Sequence, residues 1–216
     1  MGLDLVPEGC AKPGFEAEWR RLAERAFRDE DLSDADVARF NQISIPAYER
    51  TGAPRVGADP AADAWMIEAR KAVGEDQIAA VLKEFDGYHV LRLAKCDGVP
   101  MYSHGGLYDG VDETSFRGAF LSDCRSILSD AVIEDAWNHK MPDEAVAYGQ
   151  ALLAAADAVS TGAARSEPPK KGLLARLGLA KAPRDTPSDE QLQIVRAAGR
   201  WFVFWGERGH PIRAWF

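Results

Sequence analysis

Long apolar runs are missing from this chain. The longest stretch without a charge, residues 145–156, holds 12 residues, whereas a helix that crosses a bilayer needs about 20 apolar ones. No membrane span is expected. Asp4 and Glu8 stand where a secretory signal would place a basic stretch followed by an apolar one, and Val6 breaks the Met-Gly myristoylation pattern. The expected location is therefore cytoplasmic. Cysteine is scarce too: Cys10, Cys96 and Cys124 are odd in number and widely spaced, unlike the dense, even framework of a small secreted domain. They read as reduced thiols.

Signatures of the common chemistries are also lacking. There is no GxGxxG, no P-loop, no HExxH, no CxxC, no GxSxG and no EF-hand loop. No cofactor is implied, no catalytic residue is identified, and no internal repeat is visible. His89, His104, Cys96, Asp109 and Asp112 are the residues of metal-ligating type in the middle of the chain. None pairs at the helical or short Cys spacing that makes a metal assignment specific, so no metal is expected.

What is present describes a chain that folds. Hydrophobic residues make up 46% and charged residues 28% of its 216 positions, which is a globular rather than a disordered profile. Arginine outnumbers lysine and alanine is abundant, the bias of a GC-rich bacterial genome. The net charge of −8 is unevenly placed. Residues 1–160 hold 16 Lys and Arg against 29 Asp and Glu, net −13, and residues 161–216 hold 10 against 5, net +5. The basic end is complementary to the acidic body, and an acidic body repels phosphate, so a nucleic-acid partner is not expected.

Periodicity predicts an α+β, helix-rich fold. Six to seven helices pack on a small sheet of residues 2–6 and 88–95, with 212–216 as a candidate third strand. Phe15, Trp19, Leu22, Ala23 and Phe27 mark one amphipathic helix, and Ser33 with Asp36 caps a second. Asp59-Pro60 opens a helix bearing Trp65, Met66, Ala69 and Val73, and another runs from about Glu75 to Phe85. Phe116, Phe120, Cys124, Ile127, Leu128 and Ala131 predict a helix from Thr114 onward, with a break near Asp130. Pro142 opens one that ends at Gly162, and Thr186-Pro187-Ser188-Asp189 caps one that runs to about Arg208. Three parts follow: a main domain over 1–162, a Pro-rich basic linker over 163–187, and a C-terminal aromatic helix and tail over 188–216 that packs back on the main domain. The linker, with Pro168, Pro169, Pro183 and Pro187, is expected to be the internal segment most open to proteases.

The loop 96–112 concentrates glycines with polar side chains between an expected strand and an expected helix, a place where pockets form. Tyr102, Ser103, His104 and Asp109 on it, and Arg117 just beyond it, are the candidate ligand-binding residues. Cys96 with His104 is a weaker thiol and imidazole pairing. His139 and His210 read as surface and turn residues. Arg200-Trp201-Phe202-Val203-Phe204-Trp205 reads as a buried helix, in the core or at a homodimer interface, rather than as a stacking platform. The first functional expectation is a non-catalytic binding or interaction protein with self-association through this helix. The alternative is a small-molecule-binding protein or enzyme whose polar pocket is built by the loop 96–112.

Overall fold

The computed structural model describes residues 2–28, 30–94, 115–162 and 187–216. Eight α-helices and two short antiparallel sheets lie within them, so the fold is α+β and rich in helix. The first strand, β1 (Asp4–Pro7), pairs with a strand from the other end of the chain, Ile212–Trp215, in the register Leu5 to Ala214. Phe116 extends this sheet on one side through two hydrogen bonds with Leu5, both 2.8 Å, and Lys140 extends it on the other through two with Ile212, both 2.8 Å. Leu5, Ile212 and Ala214 therefore face the core while Arg213 and Trp215 face away, the period of two that a half-buried strand requires.

A second, two-residue pairing joins β2 (Cys10–Ala11) to β3 (Ser44–Ile45) and brackets α1 (Glu16–Phe27) and α2 (Asp34–Ile43). α1 turns Trp19, Leu22 and Ala23 inward, and Ser33 and Asp36 close the expected capping box at the start of α2. A single turn, α3 (Ala47–Thr51), stops at Gly52 in the left-handed region, where a side chain is disfavoured. α4 (Pro60–Ala69) starts on the Asp59 cap, and α5 (Glu75–Glu84) follows it. These two enclose a satellite core of Val56, Ala62, Met66, Phe85 and Val90.

The main core lies elsewhere. α6 (Asp130–Asp135) leads into α7 (Pro142–Ser160), which packs along α8 (Asp189–Glu207), and β4 (Ile212–Trp215) closes the chain. α7 and α8 run antiparallel and very close. A Cβ added to Gly149 would lie 2.7 Å from the Gly199 carbonyl, and one added to Gly206 would lie 2.6 Å from the Pro142 carbonyl. Trp201, Phe202 and Trp205 are fully buried between these helices and the sheet, so the aromatic helix is a core element and not a stacking platform. Its exposed positions are Asp189, Glu190, Gln193, Arg200 and Glu207. That face is polar.

Three local expectations are corrected. Of the segment expected as a strand, the described residues 88–94 form none: Tyr88 and Val90 make backbone hydrogen bonds with Val56 and Pro54, an isolated bridge, and the chain then coils into a 3-10 turn, Leu91–Leu93. Its partner segment, bounded by Pro54 and Gly57, is too short to carry a ladder. The helix expected from Thr114 is instead a 3-10 stretch, Gly118–Asp123, followed by turns. Phe116 is held laterally by the sheet, and the Gln191 side chain of α8 takes the Asp123 carbonyl at 2.6 Å and accepts the Ser126 hydroxyl at 2.9 Å, which removes a bond an α-helix would need. The cap of α8 is Ser188 with Gln191, not Thr186 with Asp189.

Candidate functional site

Four side chains on α1 begin the site. Arg20, Glu24, Phe27 and Arg28 recur at three- and four-residue spacing and so share one face, beside the buried Trp19, Leu22 and Ala23, against which Phe27 also packs. Across from them runs the connection Trp137 to Met141, which leaves α6 in a turn at Trp137 and Asn138 and then bridges to β4 at Lys140. This connection, the start of α7 and Phe216 just past β4 complete a groove of two lobes. One, about 540 Å³, is lined by Arg20, Glu24, Phe27, Arg28, Trp137, Met141 and Phe216; the other, about 580 Å³, by α6, Lys140, Tyr148 and Ala151; Asn138, His139 and Glu144 are common to both.

Three aromatic side chains, Phe27, Trp137 and Phe216, stand among the polar groups of the first lobe. Trp137 and Phe216 meet edge to face at 5.3 Å, and Phe27 meets the His139 ring at 4.9 Å, both within the range of favourable aromatic contact. The Arg213 guanidinium sits 5.5 Å from the Phe27 centroid and pairs with the Glu8 carboxylate. His139 Nδ1 accepts the Ala214 amide at 3.1 Å, so on a neutral ring the proton sits at Nε2. Trp137 is 36% exposed and Phe216 68%; neighbouring Trp215 is 62% exposed. Apolar area of this kind left in water on adjoining segments marks a binding surface more often than a single exposed ring does.

Charges around the groove are mostly paired. Arg20 reaches Glu24 at 2.9 Å and Asp143 at 3.5 Å, and Arg28 reaches Glu24 at 3.6 Å and Glu30 at 3.5 Å. In the second lobe Lys140 is almost wholly buried. Its ammonium donates to the Asp135 carbonyl at 2.6 Å, pairs with the Asp135 carboxylate at 3.1 Å and lies 4.5 Å from the Tyr148 centroid. Burial pushes its pKa down, and the nearby Asp135 and Glu144 carboxylates partly offset that. Tyr148 donates its hydroxyl to the Val132 carbonyl at 2.8 Å, and burial pushes its pKa up.

The residues singled out from the sequence fall differently. Tyr102, Ser103, His104 and Asp109, with Cys96, lie outside the described residues, as does the segment 163–186. Arg117 is placed: its Nε pairs with Asp4 at 2.8 Å beside β1, and it does not line the groove. His210 is not a surface residue. It is wholly buried, its Nδ1–H donates to the Glu8 carbonyl at 2.7 Å, and its ring packs against Trp205 at 5.1 Å. Burial above all, then the Arg50 and Arg208 charges, lowers its pKa to about 4. Cys124 is core as expected, with its thiol pushed up to about 12 by burial. Cys10 and Cys124 are both free. Sequence reading missed the groove because its rings come from three distant segments; the one signal available was the surplus of aromatics at Trp137 and Trp215-Phe216 outside any amphipathic stripe.

Among the described residues no helix is long and apolar enough to cross a membrane, and no three His, Cys, Asp or Glu side chains converge on a metal position. No protein-family model, no curated protein and no solved structure matches the chain.

Proposed function

We propose that this protein is a non-catalytic cytosolic binding protein that engages a protein partner at the groove between α1, residues 137–141 and the end of β4. The carrying observation is the exposed pair Trp137 and Phe216 at the mouth of that groove, set among charges that are already paired. Exposed aromatics over a concave surface are the usual anchors of protein recognition. A binding role also fits the second lobe, where the Lys140 ammonium and Tyr148 hydroxyl are engaged in structural bonds. Selection from a random displayed peptide library tests this reading. The wild-type chain is expected to enrich a defined peptide set that the Trp137→Ala, Phe216→Ala double variant does not, with the melting temperature of that variant within a few degrees of wild type. Equal enrichment by both proteins overturns the reading.

Self-association is a second reading, favoured by Trp215, whose side chain stands out from the sheet. It differs from dimerisation through the aromatic helix, whose apolar surface is enclosed within its own subunit. Sedimentation equilibrium would show a dimer that Trp215→Ala dissociates; a monomer at all concentrations removes it.

A further inference from the structure

We infer that the groove receives a basic side chain of the partner, a lysine or arginine whose apolar stem lies against the aromatic rings of the first lobe and whose charge reaches Glu144. The inference rests on the reading above and adds the chemistry of what is bound.

Every cation that lines the groove already faces a carboxylate: Arg20 faces Glu24 and Asp143, Arg28 faces Glu24 and Glu30, and Lys140 faces Asp135. Glu144 is different. It is exposed, it borders both lobes, and among the described residues its side chain takes one hydrogen bond, from the Met141 amide to Oε2 at 2.8 Å. A carboxylate accepts several hydrogen bonds, which leaves Glu144 acceptor capacity for the groove's contents. An anionic partner group would have to displace an existing ion pair at Arg20 or Arg28, whereas a cation meets a carboxylate that no salt bridge holds among the described residues. The rings act in the same sense. Trp137 and Phe216 offer electron-rich faces that attract a cation, and together with Phe27, whose ring already meets Arg213 and His139, they cover the alkyl part of a long basic side chain, which prefers apolar contact along its stem. At longer range the −13 charge of residues 1–160 draws a basic partner and repels an acidic one.

Capped five-residue peptides identical except for a central lysine, glutamine or glutamate test the assignment on the full-length chain. Binding is followed through the Trp137 indole resonance, with n-butylammonium as the control for a free amine. The lysine peptide is expected to bind about fivefold more tightly than the glutamine peptide, as one cation–π and carboxylate contact at an exposed site allows, with the glutamate peptide weakest. Glu144→Gln keeps an acceptor for the Met141 amide and so preserves the start of α7. It should weaken the lysine peptide about threefold and leave the glutamine peptide unchanged. Equal affinities for the three peptides, a preference for glutamate, or no loss on Glu144→Gln overturns the cation assignment while leaving a groove that binds peptides. Butylammonium binding as tightly as the lysine peptide would make the ligand a free amine and remove the protein partner. No movement of the Trp137 resonance with any probe would remove the groove as a binding site altogether.

Discussion

His210 carries a polar ring to a place that water does not reach. Its Nδ1–H is satisfied by Glu8, and Nε2 is buried with no partner among the described residues, so a second proton would bring a poorly compensated charge into the core. The unfolded chain takes that proton near pH 6.5 and the folded chain only near pH 4. Stability from this residue is therefore complete above pH 6.5 and is lost as pH falls toward 4, by about 1.4 kcal/mol per pH unit and about 3 kcal/mol in all. Urea unfolding at pH 7.5 and 5 should show wild type losing more stability than His210→Gln over that interval; equal losses would refute the linkage. The two tryptophans of α8 present a simpler case. Trp201 and Trp205 are fully enclosed, so replacing either with Ala should cost about 3 to 5 kcal/mol. Because the burial is within one subunit, the loss should not vary with protein concentration. Thermal unfolding at two concentrations checks both statements.

At the level of elements the antiparallel pair α7 and α8 holds the fold together, and its closeness depends on glycine. A Cβ on Gly199 would come within 2.7 Å of Leu153 Cγ and 2.9 Å of the Gly149 carbonyl, distances that force the helices apart. Gly199→Ala should therefore destabilise by about 1 to 3 kcal/mol, although alanine favours helix intrinsically by up to about 1 kcal/mol. The opposite sign, a more stable variant by chemical denaturation, would show that the crossing is looser than described. The N-terminus of α8 combines two tasks. Ser188 accepts the Gln191 amide at 3.1 Å, and the Gln191 side chain returns to the Ser188 amide at 2.9 Å while also reaching Asp123 and Ser126. Ser188→Ala should cost about 1 kcal/mol, the ordinary value of a cap. Gln191→Ala should cost more, since it also releases the 118–128 segment; equal losses in denaturant melts would refute that added role.

On the scale of the whole molecule the buried clusters are unequal: among the described residues five hold α4 and α5, five join α1 to the end of α2 and Met141, and twenty-four hold the α7, α8 and sheet assembly. The α4 and α5 cluster should open before the largest. Amides of α4 and α5 are expected to exchange with solvent faster than those of α7 and α8, measured by hydrogen exchange on the native protein; uniform protection would show a single cooperative unit. Helices were readable residue by residue because their determinants are local. Ser33 with Asp36, Asp59 before Pro60, Pro142, and Gly162 and Gly209 in positive φ set the starts and stops of elements at positions the sequence alone announces. The strand expected at 88–95 and the helix expected from Thr114 failed for a shared reason. β-branched residues and apolar spacing describe a side chain's preference, whereas a ladder needs a partner and a helix needs its carbonyls free, and both depend on segments far along the chain. Composition and pattern by themselves determined a helix-rich α+β chain with an acidic body and a buried aromatic helix. Only the tertiary structure decided that Leu5 pairs with Ala214, that His210 is core, and that Phe27, Trp137 and Phe216 meet around one groove, because contacts between residues far apart in the chain are set by how the whole chain packs.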